Sequence, residues 1–175
     1  MTSKRLADSA AAAVLGALLA GPLVTPAWGL SSDRQQPIHL AADRADVNRK
    51  TGISVYTGDV QVTRGSMHMT GDKMTVYTDS NEQVEKIVAV GKPATYRQLP
   101  DNKKQDIKGR AQQIEYFADQ DQVVLVDQAK VWQGGNVFQS NRIVYQIKND
   151  VVNAGAQNGK DRVHITIPPR DSGTR

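Results

Sequence analysis

The sequence predicts an all-β, single-domain protein built on one large antiparallel sheet that curls over itself. Three observations carry this reading. From Ile38 to Ile167 short runs rich in Val, Ile, Thr and Tyr alternate with turn-forming residues, and those residue types suit a pleated, half-buried surface. Turn signals recur every ~8–12 residues, the spacing of sandwiches and rolled sheets. Helical periodicity is nearly absent, with only the stretch 41–49 able to form a helical turn.

In chain order the expected strands are 38–40, 53–57, 60–63, 67–70, 73–78, 84–90 and 94–98. After an exposed loop over 99–108, rich in charge and opened by Pro100, they continue as 112–117, 123–126, 129–132, 136–139, 142–147, 151–154 and 162–167. Thr51-Gly52, Gly58-Asp59, Arg64-Gly65, the stretches 79–81, 100–102 and 119–121, Gly134-Gly135, Asn149-Asp150 and Asn158-Gly159 are the turn candidates. Each supplies a residue tolerant of positive φ or able to bond its own backbone. Within strands the apolar residues alternate, as in Val60/Val62, Met67/Met69, Met74/Val76, Ile114/Tyr116 and Ile143/Tyr145. One face of each strand is therefore apolar, and curling the sheet gathers these faces inside. Nothing closes the first strand onto the last, so 38–40 and 163–167 are expected as open edges. Pro168-Pro169 and the polar residues after them end the ladder, and 168–175 reads as a frayed tail.

Residues 1–29 read as a cleavable secretory leader. Lys4 and Arg5 precede a small, apolar run over 10–19, and Ala27-Trp28-Gly29 offers small residues at a cleavage site. No Cys follows that run, which excludes a lipoprotein anchor, and the chain has no Cys at all. Disulfides, thiol catalysis and Cys-based zinc sites are thereby removed together. Without Lys4, Arg5 and Asp8, 20 basic and 17 acidic residues remain, a net charge of +3. No run of cations interleaves with aromatics, so nucleic acid is not an expected partner.

A faint repeat runs through this pattern at an offset of 69 residues: 55–62 lies over 124–131, and Gly71-Asp72-Lys73-Met74 over Ser140-Asn141-Arg142-Ile143. A shorter unit recurs at 40–44, 69–73, 107–111 and 138–142: an apolar residue, a spacer, a small residue and usually a polar residue and a cation. Such stepping stacks similar β-units into an elongated body. The cations Arg44, Lys73, Arg110 and Arg142 belong to or flank this unit. They are either solvated strand ends or contacts for the phosphates of an anionic amphiphile.

The inventory does not support catalysis or a resident metal or cofactor. His39, His68 and His164 each stand alone in an alternating strand, without metal-ligand spacing. Most Asp side chains sit beside turns, where bonding to backbone explains them. Only three Glu occur, none in an apolar setting suited to acid–base work. Met67, Met69 and Met74 either fill a core short of Phe or line a pliable groove for a greasy ligand.

The segments Gln36-Pro37-Ile38-His39-Leu40, Tyr56-Thr57-Gly58-Asp59-Val60, Gly71-Asp72-Lys73, Gly91-Lys92-Pro93-Ala94-Thr95, Val123-Val124-Leu125 and Arg162-Val163 resemble the OstA-like family of periplasmic lipopolysaccharide-transport proteins, in its LptA type. The resemblance spans 36–168 and implies a V-shaped antiparallel β-jellyroll, or β-taco, over 30–167 with an apolar groove. It implies a periplasmic carrier of lipopolysaccharide between inner and outer membrane that shields the lipid A acyl chains. LptC is the implied partner at the N-terminal end and LptD at the C-terminal end, with head-to-tail self-association and no cofactor. By this resemblance Ile38, Tyr96, Tyr116 and Ala118 are groove contacts. Alternation adds Leu40, Val55, Val62, Met67, Met69, Met74 and Val76, then Ile114, Phe138, Ile143 and Tyr145. Edge docking is expected of Ile38, His39 and Leu40 at one end and of Val163, His164, Ile165, Thr166 and Ile167 at the other. The alternative reading is a non-enzymatic envelope adaptor or polysaccharide-binding β-protein.

Overall fold

The computed structural model describes residues 33–101, 103–155 and 161–169. The expected leader (1–29), the turn at Asn158-Gly159 and residues 170–175 of the tail lie outside the described residues. Ten strands form one antiparallel sheet: β1 (His39–Ala41), β2 (Arg44–Asn48), β3 (Ile53–Arg64), β4 (Met67–Thr78), β5 (Val84–Gln98), β6 (Ile107–Phe117), β7 (Gln122–Gln133), β8 (Asn136–Gln146), β9 (Val151–Ala154) and β10 (His164–Thr166). From β3 to β8 each strand pairs with the next in sequence. β1 and β2 share the outer side of β3, and β9 and β10 share the outer side of β8. Each sheet edge is thus one strand broken in two.

Three sequence expectations are corrected. The stretch 41–49 forms β2, because Arg44 to Asn48 find partners on β3 from Thr57 to Ile53, and pairing overrides weak helical spacing. Ile107 and Lys108, expected in a loop, begin β6, and Ile107 is buried. Finally, the paired short runs are halves of long strands. Gly58-Asp59 is not a turn but an interruption inside β3.

That interruption recurs in every interior strand pair. The ladder shifts between Thr57 and Val60, Thr70 and Lys73, Val90 and Ala94, Arg110 and Gln113, and Val126 and Ala129. These bulges lie side by side and form a crease that runs from the β1/β2 gap to the β9/β10 gap. A bulge bends its strand and raises local twist, so a row of bulges folds a sheet. The 69-residue repeat has its physical basis here. Gly58 and Asp59 take φ of 84° and 39°, and Asp127 and Gln128, which they overlie in the repeat, take 63° and 56°.

The fold about the crease is large. Gln133 ends β7 and Asp150 follows β8 beyond Gln146, the partner of Gln122 at the start of β7. On a flat sheet these sites lie ~36 Å apart, at ~3.3 Å per residue. Yet Gln133 Nε2 donates to Asp150 Oδ1 over 2.6 Å. The two leaves therefore close on each other, and the core lies between them. One tight turn is at Gly134-Gly135, where both residues have positive φ between the paired Gln133 and Asn136. That is the two-residue hairpin whose twist matches its strands.

Candidate functional site

Residues directly opposed on antiparallel strands project from the same face, so the register lists the interior row by row. On one leaf Leu40, Val62, Met69, Tyr96, Gly109, Val131, Phe138 and Ile165 are opposed in succession, from the β1 edge to the β10 edge. On the other leaf one row runs Ala45, Tyr56, Met74, Ala89, Ile114, Leu125, Ile143 and Ala154. A second runs from Val47 through Ser54, its one polar member, then Val76, Ile87, Tyr116, Val123 and Tyr145 to Val152. The interior is a continuous apolar seam from edge to edge. Its middle is closed: Met69, Met74, Ile87, Ile114 and Ile143 are 0% exposed. Its ends are not, since Val47 is 60% and Ile165 55% exposed.

The leaves touch at Gly109. A Cβ there would meet Leu125 Cδ2 at 2.7 Å, so the missing side chain is the space that Leu125 of the other leaf fills. At the open side Asp33 ties the end of one leaf together: it accepts from Ser66 N (2.8 Å), Ser66 Oγ (2.5 Å) and Gln98 Nε2 (3.0 Å), and Tyr96 OH donates to Gln98. The next residue, Arg34, pairs with Asp121 at the far end of the strands (Nε–Oδ1 2.9 Å). Lys103 reaches Asp150 at 3.2 Å. Arg34 and Lys103 are about half exposed, so each ion pair is worth at most ~1 kcal/mol. Burial, the largest cause, pushes the phenols of Tyr96, Tyr116 and Tyr145 above their ordinary pKa, and the Asp150 carboxylate adds to this at Tyr145.

Of the sequence-predicted groove residues, Val62, Met67, Met69, Met74, Val76, Tyr96, Ile114, Tyr116, Ile143 and Tyr145 are buried in this seam. Ile38, Leu40, Ala118 and Phe138 are half-buried against it. Val55 is not in it. It opposes Asp46 and Thr75 on the outward face, and Tyr56 holds the inward place. Parity holds through the Gly58-Asp59 bulge: counting back from Val62 and Val60 puts Tyr56 and Ser54 inward and Val55 outward, so the Ile53/Val55 apolar pair marks the outward face. Ile87, Leu125 and Val131 are seam residues that were not singled out. Leu125 sits in the unbroken apolar run 123–126, where alternation gives no signal.

The register also places the four cations. Arg44, Lys73 and Arg142 fall on one outward row, through Thr57, Val90, Gln113 and Val126. Arg110 lies on the outward row across the crease, between Thr95 and Lys130. All four flank the crease on the side of the sheet away from the seam. Of the docking residues, His39 and Leu40 lie in β1 and His164, Ile165 and Thr166 in β10, each at a sheet edge; Ile38, Val163 and Ile167 flank those strands.

The sequence model of the family described as "LptA/(LptD N-terminal domain) LPS transport protein" matches residues 39–151. The lipopolysaccharide export system protein LptH of Pseudomonas aeruginosa is 43% identical over 150 residues, 82% of this chain and 86% of its own. LptA of Escherichia coli K12, of the same export system, is 31% identical over 82% of this chain and 77% of its own. The crystal structure of LptH, the LptA-homologous periplasmic component of the lipopolysaccharide transport device, superimposes with a TM-score of 0.74 at 44% identity, covering 79% of this chain and 99% of that one. An open antiparallel sheet creased into two leaves over an apolar seam, with this extent of identity, places the chain in the LptA/LptD N-terminal domain family of lipopolysaccharide transport proteins.

Proposed function

We propose that this protein is a periplasmic carrier that moves lipopolysaccharide from the inner to the outer membrane by sheltering its acyl chains between the two leaves. The observation that carries the reading is the seam: an apolar lining that is continuous across eight strand positions and ends at two uncovered edges. Each acyl methylene kept from water is worth about 0.8 kcal/mol, so such a seam lowers the cost of crossing an aqueous space with no chemical step. The middle of the seam is closed, and acyl chains enter by parting the leaves. The polar contacts that join them at the open side are few, and the cations of its ion pairs, Arg34 and Lys103, are about half exposed, which suits a mouth that opens. The relatives' roles as export-system proteins point the same way, and to transport in place of catalysis.

The edges supply continuity. β1 and β10 each offer one unpaired side, and the exposed apolar residues Val163, Ile165 and Ile167 gather at the β10 edge. Strand addition at such an edge prolongs the sheet, and a β10-to-β1 contact is heterologous, so it propagates instead of closing. In this reading the β1 end receives LptC, the β10 end meets LptD, and further copies add head to tail between them. The deciding test is retention: the purified protein should hold acylated lipid A and release it when the acyl chains are removed. Equal retention of the delipidated glycan would instead mark a polysaccharide adaptor, and turnover of either would mark a hydrolase.

A further inference from the structure

The outward side of the crease carries a feature that the seam does not explain. A cleft of about 770 Å³ opens there, between the bulges of β5 to β8 and the residues before β10. Lys92, Arg110, Lys130 and Arg162 line it, against the single carboxylate of Asp161. None of these four cations makes an ion pair among the described residues, whereas Lys86 and Arg97, also on outward-facing positions, are paired with Glu115 and Asp106. Arg110 and Lys130 are directly opposed across β6 and β7. Like charges so placed repel each other. Both are held by one ring: Arg110 Cζ lies 5.6 Å and Lys130 Nζ 5.1 Å from the centroid of Trp132.

The rest of the cleft is unsatisfied in the complementary way. Gln112, Gln128, Gln139 and Asn141 line it, and their side chains make no hydrogen bond among the described residues. Unpaired cations seek phosphate or carboxylate oxygens, and free amides suit sugar hydroxyls. The concave shape fits a discrete solute better than a flat bilayer.

We propose that this outward cleft is a binding site for a phosphate-bearing saccharide. It lies across the sheet from the apolar seam and does not rest on the carrier reading. The probe is a bisphosphorylated glucosamine disaccharide without acyl chains, titrated calorimetrically into the full protein before and after phosphatase treatment. Binding is expected for the phosphorylated form, with a loss of about tenfold or more on dephosphorylation, the scale of one charge-assisted hydrogen bond. The double variant Arg110→Gln/Lys130→Gln should lose binding to a similar degree, and Lys73→Gln, on the row across the crease, should keep it. Should the double variant fail to fold, Lys92→Gln and Arg162→Gln, which lie outside the opposed pair, must each weaken binding. Equal affinity for the dephosphorylated sugar, for inorganic phosphate alone, or only for phosphatidylglycerol vesicles would overturn the proposal, as would unaltered binding by the variants. Retention of acylated lipid A by the same variants reads the seam separately, because the probe has no chain to place there.

Discussion

Tyr96, Tyr116 and Tyr145 are aromatic groups whose rings complete the seam while their hydroxyls sit at its polar margin. Tyr145 OH lies 3.2 Å from Asp150 Oδ1, and Tyr96 OH donates to Gln98. Burial favours the neutral phenol, so the folded-state pKa is raised. The sign of the linkage follows. The folded chain keeps these protons at a pH where the unfolded chain loses them, so their contribution is full below about pH 10 and falls above it. Thermal unfolding followed against pH should show an alkaline loss of stability that begins near the ordinary tyrosine pKa and shrinks in Tyr96→Phe. An identical alkaline profile in that variant would discard the assignment. Phe138 packs against the core, whereas the ring contacts of Trp132 with Arg110 and Lys130 depend on which outward rows meet, which no local pattern shows.

At the scale of elements, the bulge row decides what the strands are. Each apparent pair of short strands is one long strand with an interruption, and every interruption stacks on the next. Gly58 shows the cost of changing one. Its φ of +84° is open to glycine, and a Cβ there would sit 2.1 Å from Asp43 Oδ2 in the β1/β2 gap. A β-branched residue in this conformation is a backbone outlier. Gly58→Val should therefore destabilise by ~2–3 kcal/mol, lowering Tm by roughly 5–10 °C for a domain of this size. The same substitution at outward-facing Gln61 should leave Tm nearly unchanged. If thermal melts gave both variants the same midpoint, the crease would tolerate a side chain and the strain argument would fail. The repeat was legible in sequence because these bulges need particular residues; their role as a hinge line was not, since a turn and a bulge ask for the same Gly-Asp pair.

For the whole molecule, the crease turns a flat sheet into two leaves that share one core. Closure at Gly109 and Leu125 excludes water from the middle of the seam, while the edge strands leave both of its ends unpaired. β1 and β10 are short, three residues each, which limits indiscriminate edge pairing. Apolar residues beside them add specificity that the backbone alone lacks. Photo-crosslinking residues placed at Ile38 and Ile165 report the edge contact. Substitution at Ile38 or Ile165 should yield a head-to-tail dimer on irradiation at high protein concentration, and a substitution at Val124, buried in the middle of β7, should not. Only monomer from the edge positions would end the docking proposal.

The sequence by itself determined the fold class, the open edges and most of the apolar lining, because alternation and strand propensity are local properties of the chain. Val62, Met69 and Ile143 needed no more than their spacing. Tertiary structure decided the rest. Parity across a bulge is set by the partner strand: it holds from Val62 to Tyr56 in β3, which leaves Val55 outward, and flips between Met69 and Met74 in β4. The face on which the repeated cations lie was settled by the same register, and it is the face away from the seam. The meeting of Gln133 with Asp150, and of Gly109 with Leu125, came only from folding the sheet along its crease, since no local rule connects residues that the flat ladder holds far apart.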